Sequence, residues 1–159
     1  MANEVKFVYG SSTTVISLAA TLTNAATTYT GMSGITMTAL SNSLQYPDAR
    51  FVLDIPDTFA AAPTAGATID VFMTVDNIDG TSDETPVPAA SDIAYLARYV
   101  CSFVMDNQDV ATRKVQIVQG CLHGVVDAKF YLYNACGQTL SYSTTPITLK
   151  VTPLSLMPT

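Results

Sequence analysis

Short runs of alternating apolar and polar residues constrain the fold of this chain more than any other feature of its sequence. Three runs are clear, at residues 48–55, 68–76 and 146–153. In each run the apolar side chains take every second position, which is the period of a β-strand with one buried face. Thr fills many polar positions, and its β-branched side chain favours an extended backbone. The pattern is typical of an antiparallel β protein.

Weaker patterns of the same period fill much of the remaining sequence. They predict strands over residues 5–9, 13–22, 32–40, 98–105, 114–119 and 127–134, with 138–143 as the start of a return strand. In the run 98–105 we expect one buried face, made of Tyr99, Cys101, Phe103 and Met105. Recurrent short strands with polar turns predict an all-β, jelly-roll-like antiparallel sandwich. At most one short helix is expected, beginning at Ser91.

The length of 159 residues suits one domain, which we place at residues 13–159. Residues 1–12 are interpreted either as an arm that reaches a neighbouring molecule or as the first strand of the chain's own sheet. Val5, Phe7 and Tyr9 alternate on one face of this segment. A strand of this kind can add to an exposed sheet edge, so these three residues are candidate interface residues.

The charge of the chain argues against several classes of partner. Seven Lys and Arg stand against 13 Asp and Glu, which gives a net charge of −6. The cations are scattered along the sequence, so we expect no nucleic-acid partner and no binding to an anionic membrane. Charged residues make up 13% of the chain, about half of the usual share. A surface this poor in charge favours contact with other proteins, and we expect an oligomer.

The sequence offers little that could support catalysis or hold a cofactor. The one histidine, His123, lies two residues from Cys121, and that spacing does not specify a nucleophile with its base. The three cysteines are Cys101, Cys121 and Cys136. They show no C-x-x-C spacing, so we expect buried free thiols. We expect no enzyme activity, no cofactor and no metal. The start of the chain does not have the pattern of a signal peptide, so synthesis in a cytosol is expected.

Two further groups of residues leave alternatives open. The acidic segment 76–84 is similar to a calcium-binding loop, but Val75 and Pro86 occupy the first and last ligand positions of that pattern. A solvated loop is the first interpretation, and a weak cation site is the second. Tyr131 and Tyr133 lie on one face of a predicted strand. They are candidate interface or sheet-packing residues, with a platform for stacking sugars as the alternative.

Residues 127–140, Asp-Ala-Lys-Phe-Tyr-Leu-Tyr-Asn-Ala-Cys-Gly-Gln-Thr-Leu, resemble the late hairpin of small virion proteins of tailed bacteriophages. The opening Met-Ala-Asn-Glu-Val-Lys-Phe and the section 63–75 are similar to the same group, the capsid decoration or cement proteins of jelly-roll type. The resemblance implies a jelly-roll sandwich that decorates a phage capsid, and it brings no catalytic residues. We expect Gly137, in the turn of this hairpin, to take a positive φ.

From this resemblance we expect a structural virion protein that binds and stabilises the outer surface of an icosahedral capsid. Its partner would be the major capsid protein, its oligomer a homotrimer, and its location the capsid surface after synthesis in the host cytoplasm. The alternative is a β-sandwich module of a tail or fibre that binds a host surface glycan. Its candidate contacts would be Tyr131, Tyr133 and the acidic segment 76–84.

Overall fold

The computed structural model describes residues 5–24, 29–31, 35–36, 46–59, 61–76, 98–125, 127–142 and 144–158. Every regular element in these ranges is a strand, so the prediction of an all-β antiparallel sandwich is confirmed. The candidate helix at Ser91 lies outside the described residues. The strands are β1 (Val5–Tyr9), β2 (Thr13–Leu18), β3 (Tyr29–Gly31), β4 (Ile35–Thr36), β5 (Asp48–Ile55), β6 (Thr68–Asp76), β7 (Arg98–Val104), β8 (Thr112–Val118), β9 (Asp127–Ala135) and β10 (Ile147–Pro158).

The strands form two antiparallel sheets with jelly-roll connectivity. The first sheet has the order β1-β10-β5-β8, and β2 also pairs with β10. The second has the order β3-β9-β6-β7, and β4 also pairs with β9. From β4 onward the chain changes sheet at every connection except the one between β6 and β7. β1 and β2 share one position beside β10, and β3 and β4 share one position beside β9, so each sheet has four strand positions. The two sheets together match the eight-position jelly roll.

The core lies between the inner faces of the two sheets. Leu149 and Val151 of β10 lie opposite Leu53 and Phe51 of β5, and all four side chains are buried. Phe51 meets Phe130 of the other sheet edge to face, with ring centroids 5.9 Å apart. Burying one such aromatic side chain contributes about 1.5–3 kcal/mol relative to leaving it exposed. The alternating pattern of the sequence therefore does place the apolar side chains of β5 and β10 between the sheets.

The strand β10 continues beyond the end that the sequence predicts for it. Pro153 suggests a stop, because proline cannot donate a hydrogen bond to a neighbouring strand. In the structure its carbonyl accepts a bond from the Gly10 N–H at 2.8 Å, on the side away from β5. The N and the C=O of a strand residue point to the same side, so the missing donor faces the gap between β1 and β2. The pairing between β10 and β5 therefore loses no hydrogen bond at Pro153, and the strand continues to Pro158.

The predicted buried face of β7 is wrong at one position. Three of its four residues are buried, namely Cys101, Phe103 and Met105, but Tyr99 is 59% exposed. The cause is a β-bulge, because the pairing with β6 shifts between Val71 and Phe72. The bulge adds one residue to β7 and reverses the alternation beyond it. Tyr99 therefore lies on the outer side of the second sheet, where its ring packs against Phe72 with centroids 5.8 Å apart.

A buried asparagine joins the segments at one end of the sandwich. The Asn134 Nδ2 donates hydrogen bonds to the carbonyls of Leu22 at 3.0 Å and Gln138 at 2.8 Å. Its Oδ1 accepts a bond from the Cys136 N–H at 3.0 Å. Gly137 follows in this turn with φ of 81°, as the sequence predicts. Two of these bonds are buried and the bond to Gln138 is partly buried, so this side chain fixes both the turn after β9 and the segment after β2.

We predict that Asn134→Ala destabilises the protein by about 1–3 kcal/mol, because it removes three hydrogen bonds and leaves the buried Cys136 N–H without its partner. Equilibrium unfolding in urea measures the change. The matched control is Asn107→Ala, since Asn107 is exposed in the turn between β7 and β8. This control should stay within about 0.5 kcal/mol of the unchanged protein. Equal effects of the two substitutions would contradict the role given to Asn134.

Candidate interaction surface on the first sheet

The outer face of the first sheet is set by the pairing of three neighbouring strands. Because Phe51 and Leu53 point into the core, the residues between and beside them on β5 point outward. Thr152 of β10 and Ile117 of β8 lie opposite Arg50 on its two sides. The other outward positions of these strands follow from the same register and are Val52, Asp54, Arg113, Val115, Thr148 and Lys150. We call this surface, with the outward residues of β1 and the end of β10, the outer face.

Large apolar side chains are concentrated on the outer face. The described residues include eight exposed large hydrophobic side chains, and five of them lie here: Phe7, Tyr9, Val115, Ile117 and Leu156. The rings of Phe7 and Tyr9 are neighbours, with centroids 6.2 Å apart, and Leu156 lies opposite Phe7 on β10. Grouped exposed apolar side chains of this kind mark surfaces that bind other molecules, whereas scattered single ones do not. The outer face is therefore the candidate interaction surface.

Polar groups run through the middle of the outer face. The Arg50 guanidinium lies over the Tyr9 ring, 5.3 Å from its centroid. Arg113 donates a hydrogen bond to the Asp54 carboxylate at 2.6 Å, and this contact raises the pKa of the guanidinium. Together with Lys150 these side chains line an open cleft. The outer face can thus contact a partner through both apolar and charged groups.

The two groups of predicted interface residues lie in different environments. The segment with Val5, Phe7 and Tyr9 is β1, which pairs with β10 as a strand of the chain's own sheet and exposes Phe7 and Tyr9. Tyr131 and Tyr133, by contrast, are only 2% and 9% exposed. They pack with Phe72 in a separate small cluster on the second sheet. Their burial fits the sheet-packing interpretation and leaves little ring surface for a partner protein or a sugar.

Sequence reasoning missed the apolar side chains of β8. The sequence predicts a strand at 114–119 without indicating which of its faces is buried, and the structure leaves Val115 and Ile117 exposed. The inward positions carry polar residues instead, because β8 is an edge strand whose inner side meets β7. Gln116 donates a hydrogen bond to the Ser102 carbonyl at 3.2 Å, and Lys114 forms an ion pair with Asp106 at 2.5 Å. A period of two separates two faces without saying which of them is buried.

The remaining candidates offer no catalytic arrangement within the described residues. His123 is exposed in the turn after β8, where its backbone N–H donates to the Gly120 carbonyl at 3.2 Å. The acidic residues 77–84 lie outside the described residues. Elsewhere in the described part of the chain, no group of three or more His, Cys, Asp and Glu side chains is placed to hold a metal ion. Within these same ranges no helix is long and apolar enough to cross a membrane.

The three cysteines are free thiols, as the sequence predicts. Burial raises the pKa of Cys101 and of Cys121 from 9.0 to about 12, and the charge of Asp48 adds to the shift at Cys121. Burial also raises the pKa of Cys136. A thiol must lose its proton to act as a nucleophile, so these groups are unreactive at neutral pH.

Comparison with known proteins assigns no family to the chain. No family model matches the sequence, and no curated protein matches it either. The outer face and the sequence patterns described above are therefore the features that bear on function.

We predict that a thiol reagent at about pH 8 leaves Cys101 and Cys136 of the folded protein unmodified and labels both after unfolding in urea. The folded protein should also lose stability as the pH rises from 9.0 toward about 12. In that range the thiols of the unfolded chain ionise, whereas the buried thiols keep their protons, so the unfolded state gains free energy. Rapid labelling of Cys101 in the folded protein would contradict this account.

Proposed function

We propose that this protein is a structural virion protein that decorates and stabilises the outer surface of an icosahedral phage capsid. Its partner in this proposal is the major capsid protein, which it meets after synthesis in the host cytoplasm. The observation that carries the proposal is the concentration of exposed apolar side chains on one sheet face. The jelly-roll connectivity supports it, because this is the fold that the sequence resemblance implies. One fold can serve many functions, so the proposal depends mainly on the outer face and less on the jelly-roll connectivity.

The physical properties of the outer face suit attachment to another protein. Burying apolar surface contributes about 25 cal/mol per Å², and the contributions of neighbouring side chains such as Phe7, Tyr9 and Leu156 add up. A sheet is also a stiff platform, so little conformational entropy is lost on binding.

The size of the outer face favours an oligomer. Strands are roughly 4.8 Å apart and residues rise roughly 3.3 Å, so four strands of seven residues make a face of roughly 19 by 23 Å. A stable interface takes about 800 Å² from each partner, which is more than such a face presents alone. Linked copies that bind together gain avidity from each other. A homotrimer placed on a local threefold axis of the capsid would supply this gain, and we include it in the proposal.

Cosedimentation with empty capsids of the phage that encodes the chain tests the proposal. The protein should bind these capsids and raise their melting temperature. Ile117→Asp places a charge on the outer face and should weaken binding by about tenfold or more. The matched control is Val104→Asp, since Val104 is similarly exposed at the edge of the second sheet and should tolerate the change. No binding by the unchanged protein would overturn the proposed function.

A further inference from the structure

The cleft on the outer face is positively charged in a negatively charged protein. Three of the seven Lys and Arg of the chain line it, Arg50, Arg113 and Lys150, beside a single acid, Asp54. The chain as a whole has a net charge of −6. A concave site of opposite sign to the rest of the molecule attracts anions and orients them as they approach.

Two of the three cations are not neutralised by the described residues. Arg113 is paired with Asp54 at 2.6 Å. Neither Arg50 nor Lys150 has a carboxylate partner in the described part of the chain, and Arg50 instead rests over the Tyr9 ring. The two cations are therefore available to an anion from outside.

Two polar atoms at or beside Arg50 have no hydrogen-bond partner among the described residues. The Nε of Arg50 and the Oγ1 of Thr152 are both shielded from solvent and unpartnered within the described residues. Thr152 lies directly opposite Arg50 and is 3% exposed. A buried polar atom without a partner costs about 1–3 kcal/mol. Arg50 lines the cleft, so one of these unsatisfied atoms belongs to a cation that faces it.

The spacing of the two cations matches an extended polypeptide. Arg50 pairs with Thr152, and Val52 pairs with Lys150, so Arg50 and Lys150 are diagonal neighbours on adjacent strands. Such neighbours lie roughly 7 Å apart. In an extended chain, alternate residues point the same way and are also roughly 7 Å apart. Carboxylates at two alternate positions of one strand can therefore meet one cation each.

The surroundings of the cations favour a protein over an acidic sugar chain. Tyr9 and Phe7 of β1 lie on one side of Arg50 in the sheet, and Val115 and Ile117 of β8 lie on the other side. Apolar side chains that flank the carboxylates of a peptide would be buried against these residues with a gain in free energy. The hydroxyl groups of a glycan would lose water against the aliphatic side chains of Val115 and Ile117 without gaining hydrogen bonds.

We propose that the cleft binds an extended acidic segment of the partner protein. Two carboxylates at alternate positions contact Arg50 and Lys150, and apolar side chains at either end of the segment cover the outer face. The identity of the partner as the capsid protein rests on the proposed function. Recognition of the acidic segment is a separate property, and it can be measured without a capsid.

The test is an NMR titration of the labelled protein with the capped heptapeptide Leu-Thr-Glu-Thr-Glu-Thr-Leu, followed through the Arg50 side-chain N–H and the Thr152 amide. We expect saturable shifts at both groups. The same peptide with Gln in place of Glu should bind about tenfold more weakly or worse, because it lacks the charge-assisted bonds. Added salt should weaken the first peptide more than the second.

Variants and a competing ligand decide between the outcomes. The double substitution Arg50→Gln with Lys150→Gln should abolish the preference for Glu over Gln. The matched double substitution Arg98→Gln with Lys129→Gln removes the same charge from the second sheet and should preserve it. Equal binding of both peptides, absence of shifts at millimolar peptide, or tighter binding of a sulfated tetrasaccharide would each overturn the inference. Peptide recognition without capsid binding would instead overturn only the proposed function.

Discussion

The register of β10 against β5 is the constraint on which the rest of the structure depends. Val151 lies opposite Phe51 and Leu149 opposite Leu53, and this pairing sends both apolar series into the core. A slip of one residue would move all of them to solvent, because side chains alternate along a strand. The long strand β10 also pairs with both β1 and β2 along its other edge. Its position therefore determines the whole first sheet.

The same register produces the surface on which the functional proposal rests. With Phe51 inside, Arg50 must face outward beside Thr152, and Ile117 must face outward on β8. β8 is an edge strand, and its inward-facing residues are polar because they contact β7 at the side of the sandwich. The apolar residues of β8 are left exposed as a consequence. The core and the outer face thus follow from one pairing pattern.

The fold was largely predictable from the sequence, and the candidate site only in part. Alternation gave the bounds of β5 and β6 correctly, and Pro56 explains the end of β5 because it cannot donate to the next ladder bond. It failed at Tyr99 and Pro153, where a bulge and the side of the strand that faces β5 decide the outcome. Phe7 and Tyr9 were found because they alternate within one segment. The cleft of Arg50 and Lys150 was not, because it depends on which distant strands become neighbours.

The central claim is that the outer face of the first sheet meets the partner protein. Hydroxyl-radical footprinting of the protein, free and bound to capsids, tests it most directly, because side chains buried on binding lose reactivity. The account predicts protection of Phe7, Tyr9 and Leu156, with Tyr99 and Val104 of the second sheet as reactive as in the free protein. Protection of Tyr99 and Val104, with Phe7 and Tyr9 unchanged, would contradict it.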